Sequence, residues 1–489
     1  MPCKTVLNLV IILLVFMNPR AAFSAPTEIG QDVSASERRL SVQELKEDFR
    51  LLRTALEEAH AGLHYYSSKK EMDSRFDLAL KELGRPMSEP EFYKHLALLI
   101  AAVNDGHTRL RYSADYDNYL GRRPILLPFN LRFLGDRAYV LRNFSSDPDF
   151  PLGGEMVAIN GVAMADIITR LLPLISSDGR IRTSKLKYLE GSVNFGRMYA
   201  LAFEETREFE IGYRPPAGGG LSKIKVNGIT AAALNERFRD RYPEAARAKP
   251  PIELAYRGET AILTIRTFAE PGYRSAGMAY PTFLRKTFRE LSDKAVENLI
   301  IDLRENGGGT DMFGKLLVSY LLDKPYMFYN SLEVVRNAFS FLEHTSEPNL
   351  DNNLKNRLRP NDKGTYDLRF HPNLGEQNPL SPVFKGRVYI MISGRSFSGT
   401  GECTSILHHH KRAAFVGEEC GAGYYGNTSG IMPLLTLPNS GLRIRIPMVR
   451  YHMAVSGYEP RDRGISQISP SFRTSRTSLP AGTPSWSSR

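Results

Sequence analysis

The sequence is poor in cysteine and lacks the patterns of metal-binding and nucleic-acid-binding proteins. Only three of its 489 residues are cysteine. Neither the cysteines nor the run His408–His410 have metal-ligand spacing, so no metal is expected. Basic residues outnumber acidic ones, which gives a formal net charge of +11, but they are scattered and accompany no nucleic-acid-binding motif. We therefore expect no nucleic acid partner.

Long apolar runs are also missing. The longest, Val6 to Met17, has about 12 residues, which is too short to span a bilayer. Lys4 precedes it, and small residues follow as far as Ala25. These features are typical of a cleaved secretory signal peptide. The sequence therefore predicts a signal peptide over residues 1–25 and a secreted or periplasmic protein without an integral membrane anchor; a retained anchor is the alternative interpretation.

Cleavage of the signal peptide would leave two cysteines, Cys403 and Cys420. Because an exported protein meets oxidising conditions, the pair could form a disulfide bond that braces the segment around Ser398. Two unpaired buried thiols are the alternative. The sequence does not favour one over the other.

The most informative segment surrounds Ser398. An apolar strand, Val388 to Ile392, precedes it and a helical pattern follows it. A helix N-terminus favours developing negative charge, so this serine is a candidate nucleophile. The alternative is that it only caps the helix. The Gly-x-Ser-x-Gly pattern of α/β-hydrolases is absent, because Ser396 and Thr400 stand where that pattern requires glycine.

Two other segments supply what a nucleophile needs. His107 lies in an Asn-Asp-Gly-His-Thr turn after a predicted helix, and the ordinary histidine pKa near 6.5 suits a general base. An apolar strand runs into Gly307–Gly309, where the main chain can approach a substrate closely. Gly399 and Gly308 are the predicted oxyanion-hole donors. Nucleophile, base and oxyanion donors together predict an acyl-transfer site.

The patterns along the chain predict a multidomain protein of mixed α/β and α+β class. Residues 37–121 have helical periodicity and end with the base, whereas residues 122–230 alternate short strands with a helix. Apolar strands and amphipathic helices alternate over residues 251–470, which predicts a parallel sheet covered on both faces. Within this domain we expect a loop or lid over residues 343–382. A disordered tail is expected over residues 474–489.

The order of these motifs resembles peptidase family S41, which includes the C-terminal processing (tail-specific) proteases and the tricorn core protease. The resemblance covers most of residues 45–470. It implies a helical N-terminal domain, a PDZ-like module at residues 122–230 and a catalytic α/β domain of the ClpP/crotonase-like type. The matching segments are Asp105-Gly106-His107-Thr108, the run from Arg304 to Gly309, Phe397-Ser398-Gly399 and Val416-Gly417-Glu418.

Within this family the sequence resembles the tricorn-like branch. Tail-specific members have a lysine about 25 residues after the nucleophile, whereas this sequence has Gly423 in that place, so a Ser–Lys dyad is not expected. The resemblance implies His107 as the base and an acidic third residue before the turn Gly464-Ile465. Glu459 is our candidate for that acid, and Asp462 is the alternative.

The resemblance implies an exported serine-type peptidase that hydrolyses peptides or proteins. Ser398 would form the acyl-enzyme, His107 would move the proton, and the N–H groups of Gly399 and Gly308 would hold the oxyanion. This chemistry needs no metal and no cofactor. Two alternatives stay open: a non-catalytic ligand- or peptide-binding protein of the same fold, and an esterase with the same site.

Overall fold

The structure of the protein is a computed structural model that describes residues 38–216 and 218–466. The predicted signal peptide and the predicted disordered tail lie outside the described residues. Within the described ranges, no helix is both long enough and apolar enough to cross a membrane.

The N-terminal region consists mainly of helices. Its elements are β1 (Arg39–Leu40), α1 (Val42–Ala59), α2 (Lys69–Glu82), β2 (Met87–Ser88), α3 (Glu89–Ala102), β3 (Arg109–Arg111) and α4 (Ala114–Arg122). Ser41, Ser68 and Ser88 start the first three helices with capping boxes, in which the serine and a glutamate three residues later satisfy each other's backbone N–H. Helix α3 leads directly into the turn that carries His107.

An antiparallel sheet forms the middle region. Its strand order is β4-β5-β6-β8-β9, with β7 paired to β6. The elements are β4 (Phe129–Leu134), β5 (Arg137–Asn143), β6 (Glu155–Ile159), β7 (Val162–Ala163), α5 (Met164–Leu171), α6 (Arg182–Leu189), α7 (Ser192–Phe203), β8 (Glu208–Arg214) and β9 (Ser222–Asn227). The sheet lies inside the predicted module at residues 122–230, and its PDZ-like character stays a prediction.

A five-stranded sheet of order β10-β11-β12-β18-β19 carries the segment around Ser398. Strands β11, β12, β18 and β19 are parallel, as predicted, whereas the edge strand β10 is antiparallel. Helices α8 (Ala231–Arg241) and α9 (Pro243–Ala246) precede the sheet. Its elements are β10 (Ile252–Arg257), β11 (Thr260–Ile265), α10 (Glu270–Ser275), α11 (Tyr280–Asp293), β12 (Asn298–Asp302), α12 (Asp311–Ser319), β18 (Arg387–Ile392), α14 (Gly399–His409) and β19 (Ala414–Gly417).

Residues 343–382 are not simply the loop or lid that the sequence predicts. They contain helix α13 (Leu350–Leu354) and three strands of two or three residues. Such strands are too short to show a period in the sequence. Two of them pair with each other at the edge of a sheet of order β15-β16-β14-β23-β20, and the third forms the pair β13-β17. The strands are β13 (Tyr326–Met327), β14 (Tyr329–Val334), β15 (Leu358–Pro360), β16 (Tyr366–Leu368), β17 (Glu376–Gln377), β20 (Thr428–Ser429) and β23 (Val449–Met453).

A small sheet joins the N-terminal region to the end of the chain. It consists of β21 (Leu434–Thr436), β22 (Arg443–Arg445) and β3, in that order. Across the same junction, Arg443 Nε donates a hydrogen bond of 2.9 Å to the carbonyl of Tyr112, 331 residues away. The turn that carries His107 immediately precedes β3. It is therefore held against the C-terminal part of the chain rather than within a separate helical domain.

A buried carboxylate provides a second tie between the same two regions. Asp48 on α1 is fully buried and accepts hydrogen bonds from the backbone N–H groups of Asn439 (3.0 Å) and Ser440 (2.7 Å). Removing such an acceptor leaves buried donors without a partner. Asp48 therefore holds α1 on the turn between β21 and β22.

We expect Asp48→Ala to lower the free energy of unfolding by about 1–3 kcal/mol, because two N–H groups lose their acceptor. Chemical denaturation followed by circular dichroism measures the change. The matched control is Asp77→Ala on α2, whose exposed carboxylate pairs with Arg53 at 2.7 Å; a surface pair contributes less than about 1 kcal/mol. Equal effects of the two substitutions would contradict a special role for Asp48.

Candidate active site

Ser398 stands at the N-terminus of α14 in a backbone conformation that side-chain-bearing residues rarely adopt, with φ 57° and ψ −131°. Its side chain makes no capping hydrogen bond to the helix. The preceding loop is fixed by Ser396, whose hydroxyl donates to the carbonyl of Leu303 (2.8 Å) and accepts from the N–H of Ser393 (3.0 Å). Ser396 thus anchors the loop and leaves the Ser398 hydroxyl available.

The Ser398 hydroxyl meets the imidazole of His107. The distance from Oγ to Nε2 is 3.0 Å, across 291 residues of sequence. The His107 ring also packs on Phe397, with ring centroids 4.6 Å apart. Gly106 leaves room for that ring, since a Cβ at this position would lie 2.7 Å from Cζ of Phe397. The imidazole of His107 and the ring of Phe397 therefore pack together at an interplanar angle of 32°.

The turn that carries His107 is built around the carboxylate of Asp105. Its Oδ1 accepts hydrogen bonds from the N–H groups of His107 and Thr108 and from the Thr108 hydroxyl, each at 2.9 Å. His60 completes the chain. Its Nδ1 accepts from the N–H of Gly62 (3.1 Å), so Nε2 carries the proton and donates to Thr108 Oγ1 at 2.7 Å. His60 thus helps to hold this turn.

Asp178, from the middle region, contacts the same turn from another direction. Its Oδ1 accepts from the N–H of Gly106 (2.8 Å) and its Oδ2 from the N–H of Gly423 (3.1 Å). Gly423 stands where tail-specific peptidases have lysine, and a Cβ there would lie 2.5 Å from the Tyr66 hydroxyl. The site thus has no room for a side chain at this position. Sequence reasoning missed Asp178, because nothing near it in the sequence marks a site.

Burial controls the protonation of this cluster. It lowers the pKa of His107 to about 4, with the negative charge of Asp105 opposing the shift and the positive charges of Arg109 and Arg445 adding to it. Burial and then the charge of Asp105 raise the pKa of Asp178 to about 7. Burial also acts to raise the pKa of Asp105, but His60, His107 and the Thr108 hydrogen bonds outweigh it and lower that pKa. His107 is therefore neutral at neutral pH.

The glycine turn after β12 lies directly beside the nucleophile. A Cβ on Gly308, whose φ is +92°, would lie 2.7 Å from Cβ of Ser398 and 3.0 Å from the nitrogen of Gly399. The N–H of Gly308 already donates to Oδ1 of Asn306 at 2.9 Å, so it is not a free oxyanion donor in this structure. The N–H of Gly399 opens α14, where backbone N–H groups have no intrahelical acceptor.

Neither acid predicted as the third residue contacts His107. The side chain of Glu459 is exposed, and the carboxylate of Asp462 pairs with Arg180. Nδ1 of His107 is buried and has no hydrogen-bond partner among the described residues. The structure thus corrects the assignment of Glu459, because the segment before the Gly464-Ile465 turn faces solvent and Arg180 rather than the imidazole.

Both cysteines of the described chain are free thiols. Sγ of Cys403 donates to the carbonyl of Thr400 (3.2 Å), and Sγ of Cys420 donates to the carbonyl of Ser396 (3.0 Å). The disulfide alternative is therefore not what the structure shows. The two thiols instead hydrogen-bond to the backbone on either side of Ser398.

A second buried polar cluster lies behind the nucleophile, one helical turn along α14. Glu402 accepts hydrogen bonds from the Tyr329 hydroxyl (2.6 Å) and from Nδ2 of Asn427 (2.8 Å). Burial and then the charge of Asp311 raise its pKa to about 7. Nε2 of His371 lies 3.0 Å from Oδ2 of Asp311. Among the described residues, no three histidine, cysteine or acidic side chains are grouped so as to hold a metal ion.

Comparisons with known proteins concern the family and the fold. Residues 259–466 match the model of peptidase family S41. No curated protein matches the sequence. The structure is similar to that of mature CPAF, with 16% identity, a TM-score of 0.57 and coverage of 87% of this chain and 92% of that one. It is also similar to mature CPAF complexed with lactacystin, with 14% identity, a TM-score of 0.59 and coverage of 87% and 93%.

The two structural likenesses concern the fold, which is a mixed α/β multidomain fold. The family match covers the five-stranded sheet almost completely, from the strand β11 to the turn at Gly464. It includes the glycine turn and the strand, loop and helix that place Ser398. Residues 259–466 are thus similar to peptidase family S41, and this match supports a serine-type peptidase.

Proposed function

We propose that Ser398 is the nucleophile of this peptidase and that His107 is its general base. The observation that carries the proposal is the 3.0 Å contact between Ser398 Oγ and His107 Nε2. Oγ attacks the peptide carbonyl while its proton passes to Nε2. His107 then gives that proton to the leaving amine, and it activates the water that releases the acyl-enzyme.

In this dyad, ring packing and a nearby charge take the role that a hydrogen-bonded third acid has in a catalytic triad. The Phe397 ring holds the plane of the imidazole, and Asp105 holds the backbone on which the imidazole stands. The charge of Asp105 is also the main one that raises the pKa of His107. It therefore stabilises the imidazolium that forms when Ser398 loses its proton.

The N–H of Gly399 is the proposed oxyanion donor on the nucleophile's side. The role of Gly308 is to keep the space in front of the Gly399 N–H empty, because a side chain at position 308 would enter that space. Its own N–H becomes a second donor only if Asn306 releases it. Removing one oxyanion donor typically costs about 2.7–4 kcal/mol of transition-state stabilisation.

We further propose that the enzyme is exported and acts on peptides or proteins outside the cytoplasm. The support is the signal-peptide pattern of residues 1–25. An esterase would use the same acyl chemistry. The family match favours a peptide bond as the substrate group.

A fluorophosphonate probe should label the mature protein at Ser398, because the probe reacts with an activated serine. Ser398→Ala should abolish labelling, and His107→Ala should slow it by roughly 100-fold or more. Glu459→Gln should label at the wild-type rate, since its side chain is exposed. Mass spectrometry locates the label, and circular dichroism verifies folding. Unchanged labelling of folded His107→Ala would refute the proposed base.

Gly308→Ala should reduce the rate of peptide hydrolysis by roughly 100-fold or more, because its methyl group blocks the Gly399 N–H. Gly307→Ala is the matched control. A Cβ at Gly307 meets nothing within 4 Å and its φ is not positive, so activity should be retained. Initial rates on a peptide substrate measure both variants. Similar losses in the two would show that the space beside Ser398 is not what matters.

The pH dependence of kcat/KM should fall on its acid side near pH 4, because burial holds the pKa of His107 at about 4. The neutral imidazole is the active base, so activity rises with pH through that value and is then flat to neutrality. The folded state also binds fewer protons than the unfolded state between pH 4 and pH 6.5, the ordinary histidine value. Folding stability therefore decreases as the pH falls through this window.

Circular dichroism at each pH separates this loss of folding from the titration of the base. An acid limb near pH 6.5 in folded protein would contradict the buried, neutral state of His107.

A further inference from the structure

Helices α12 and α14 begin side by side at the nucleophile. Gly314 on α12 lets them approach, because a Cβ at this position would lie 2.9 Å from the carbonyl oxygen of Gly399. Asp311 lies against the start of α14 as well, since a Cβ on Gly399 would lie 3.6 Å from its Cα. A helix N-terminus carries a partial positive charge that favours an anion. The N–H of Gly399, the proposed oxyanion donor, therefore lies in the field of two helix N-termini.

Each of these helices also has an acidic residue in its first turn. Asp311 is the first residue of α12. Glu402 on α14 is only 3% exposed, and its N–H donates to the carbonyl of Ser398 at 3.1 Å. The hydroxyl of Tyr329 lies between the two acids, 2.6 Å from Oε2 of Glu402 and 3.3 Å from Oδ2 of Asp311. One hydroxyl has one proton, so it cannot donate to both carboxyl groups at once.

The other contacts of Asp311 show that it is the acceptor of the pair. Its Oδ1 accepts a hydrogen bond from the N–H of Met312 (2.7 Å), and its Oδ2 lies 3.0 Å from Nε2 of His371. Nδ1 of His371 accepts from the N–H of Asn373 (3.2 Å), so Nε2 carries the proton and donates to Asp311. Both oxygens of Asp311 thus face N–H groups, to which an acid could not donate.

Glu402 faces groups that allow it to carry a proton. Its Oε1 accepts from Nδ2 of Asn427 at 2.8 Å, whereas its Oε2 meets the Tyr329 hydroxyl, which can accept a hydrogen bond as well as donate one. A proton on Oε2 is donated to the Tyr329 oxygen, and the Tyr329 hydroxyl is then free to donate to Asp311. Burial and then the charge of Asp311 raise the pKa of Glu402 to about 7, in agreement with this arrangement.

The other ionisable groups around Glu402 do not remove its proton. Of the groups that act most strongly on Glu402, only His371 can carry a positive charge. Burial raises the pKa values of Tyr329 on β14, Tyr451 on β23 and Cys403 on α14, so these three groups are neutral. On α12, Lys315 interacts with Asp311 rather than with Glu402. Glu402 is therefore the group of this cluster that titrates near neutrality.

We propose that Glu402 is a positioning residue that keeps its proton in the active enzyme, so that the field of the two helix N-termini acts on the oxyanion alone. Glu402 does not touch the substrate, and it acts through the first turn of α14 and through Tyr329. Loss of its proton turns the Tyr329 hydroxyl toward Glu402 and places a negative charge about one helical turn from Ser398. The proposal rests on the proposed function, because the oxyanion forms at Ser398.

The charge on Glu402 should affect the transition state more than the bound substrate. A peptide carbonyl is neutral before attack, and its oxygen becomes negative in the transition state. A buried carboxylate one helical turn away repels that oxygen, and salt screens the repulsion only weakly. Ionised Glu402 should therefore lower kcat by about tenfold and leave KM unchanged.

The fluorophosphonate probe measures this effect without a known peptide substrate, because attack by Ser398 on phosphorus also places negative charge on an oxygen. In the wild-type protein, the labelling rate at saturating probe should fall by about tenfold between about pH 6 and about pH 8.5 and then reach a plateau. The midpoint of the fall should lie near the Glu402 pKa of about 7. The probe concentration that gives half of the maximal rate should not change.

Substitutions of Glu402 separate its proton from its packing. The amide of Glu402→Gln has the same shape and donates to Tyr329 at every pH, so the fall in rate should disappear. Glu402→Ala also lacks a titrating group, but it should label more slowly than Glu402→Gln at every pH, because it loses both hydrogen bonds. Glu419→Gln is the matched control. Glu419 is a buried acid bonded to Arg463 at 2.6 and 2.7 Å, and its substitution should preserve the tenfold fall.

Infrared difference spectra of Ser398→Ala between the same two pH values detect the proton itself. The band of a protonated carboxyl group should disappear as the pH rises, and adding Glu402→Gln should remove this change. Asp178, whose pKa burial raises to about 7, should give a second such band that Glu402→Gln leaves in place. Circular dichroism verifies that each variant is folded.

A wild-type labelling rate that does not fall, a fall that survives Glu402→Gln, or equal rates of Glu402→Gln and Glu402→Ala would each overturn the proposal. Failure of the proposed function is recognised differently, by the absence of labelling at Ser398. In that case the infrared spectra decide whether Glu402 carries a proton. Loss of one carboxyl band on adding Glu402→Gln supports the protonated residue, and unchanged spectra overturn it.

Discussion

The geometry of the site depends on one buried carboxylate that joins three parts of the chain. Asp178 comes from the middle region, and its two oxygens accept the N–H groups of Gly106, in the turn of the base, and of Gly423, in the catalytic region. Neither glycine has room for a side chain. The cost of burying the carboxyl is visible in its raised pKa and is offset in part by two hydrogen bonds. This bridge adds to the contacts of Asp105 and Phe397 that hold His107 against Ser398.

Local sequence patterns predicted Ser398, His107 and the glycine turn because each lies at the junction of a helix or strand with a turn, and such junctions have a composition of their own. The contacts around them could not be predicted in this way. Asp178 meets Gly423 across 245 residues, and β3 pairs with β22 through strands of three residues. Glu459 was predicted from its position relative to a family pattern. The direction in which its segment faces depends instead on tertiary packing.

The nucleophile shows how strain is held at such a junction. The positive φ of Ser398 is unfavourable by about 1–3 kcal/mol for a residue with a side chain. Hydrogen bonds of Ser396 fix the loop before it, and those of Glu402 fix the helix after it. Buried polar groups on both sides of Ser398 therefore hold it in this conformation.

The 291 residues between His107 and Ser398 also determine when these two side chains can meet during synthesis. Domains fold in order as a chain leaves the ribosome. The helices that carry His107 emerge early, but β3 finds its partner only when β22 has been translated. For most of its synthesis, the growing chain thus contains His107 but not Ser398. The contact between His107 and Ser398 therefore forms only late in synthesis, when almost the whole described chain exists.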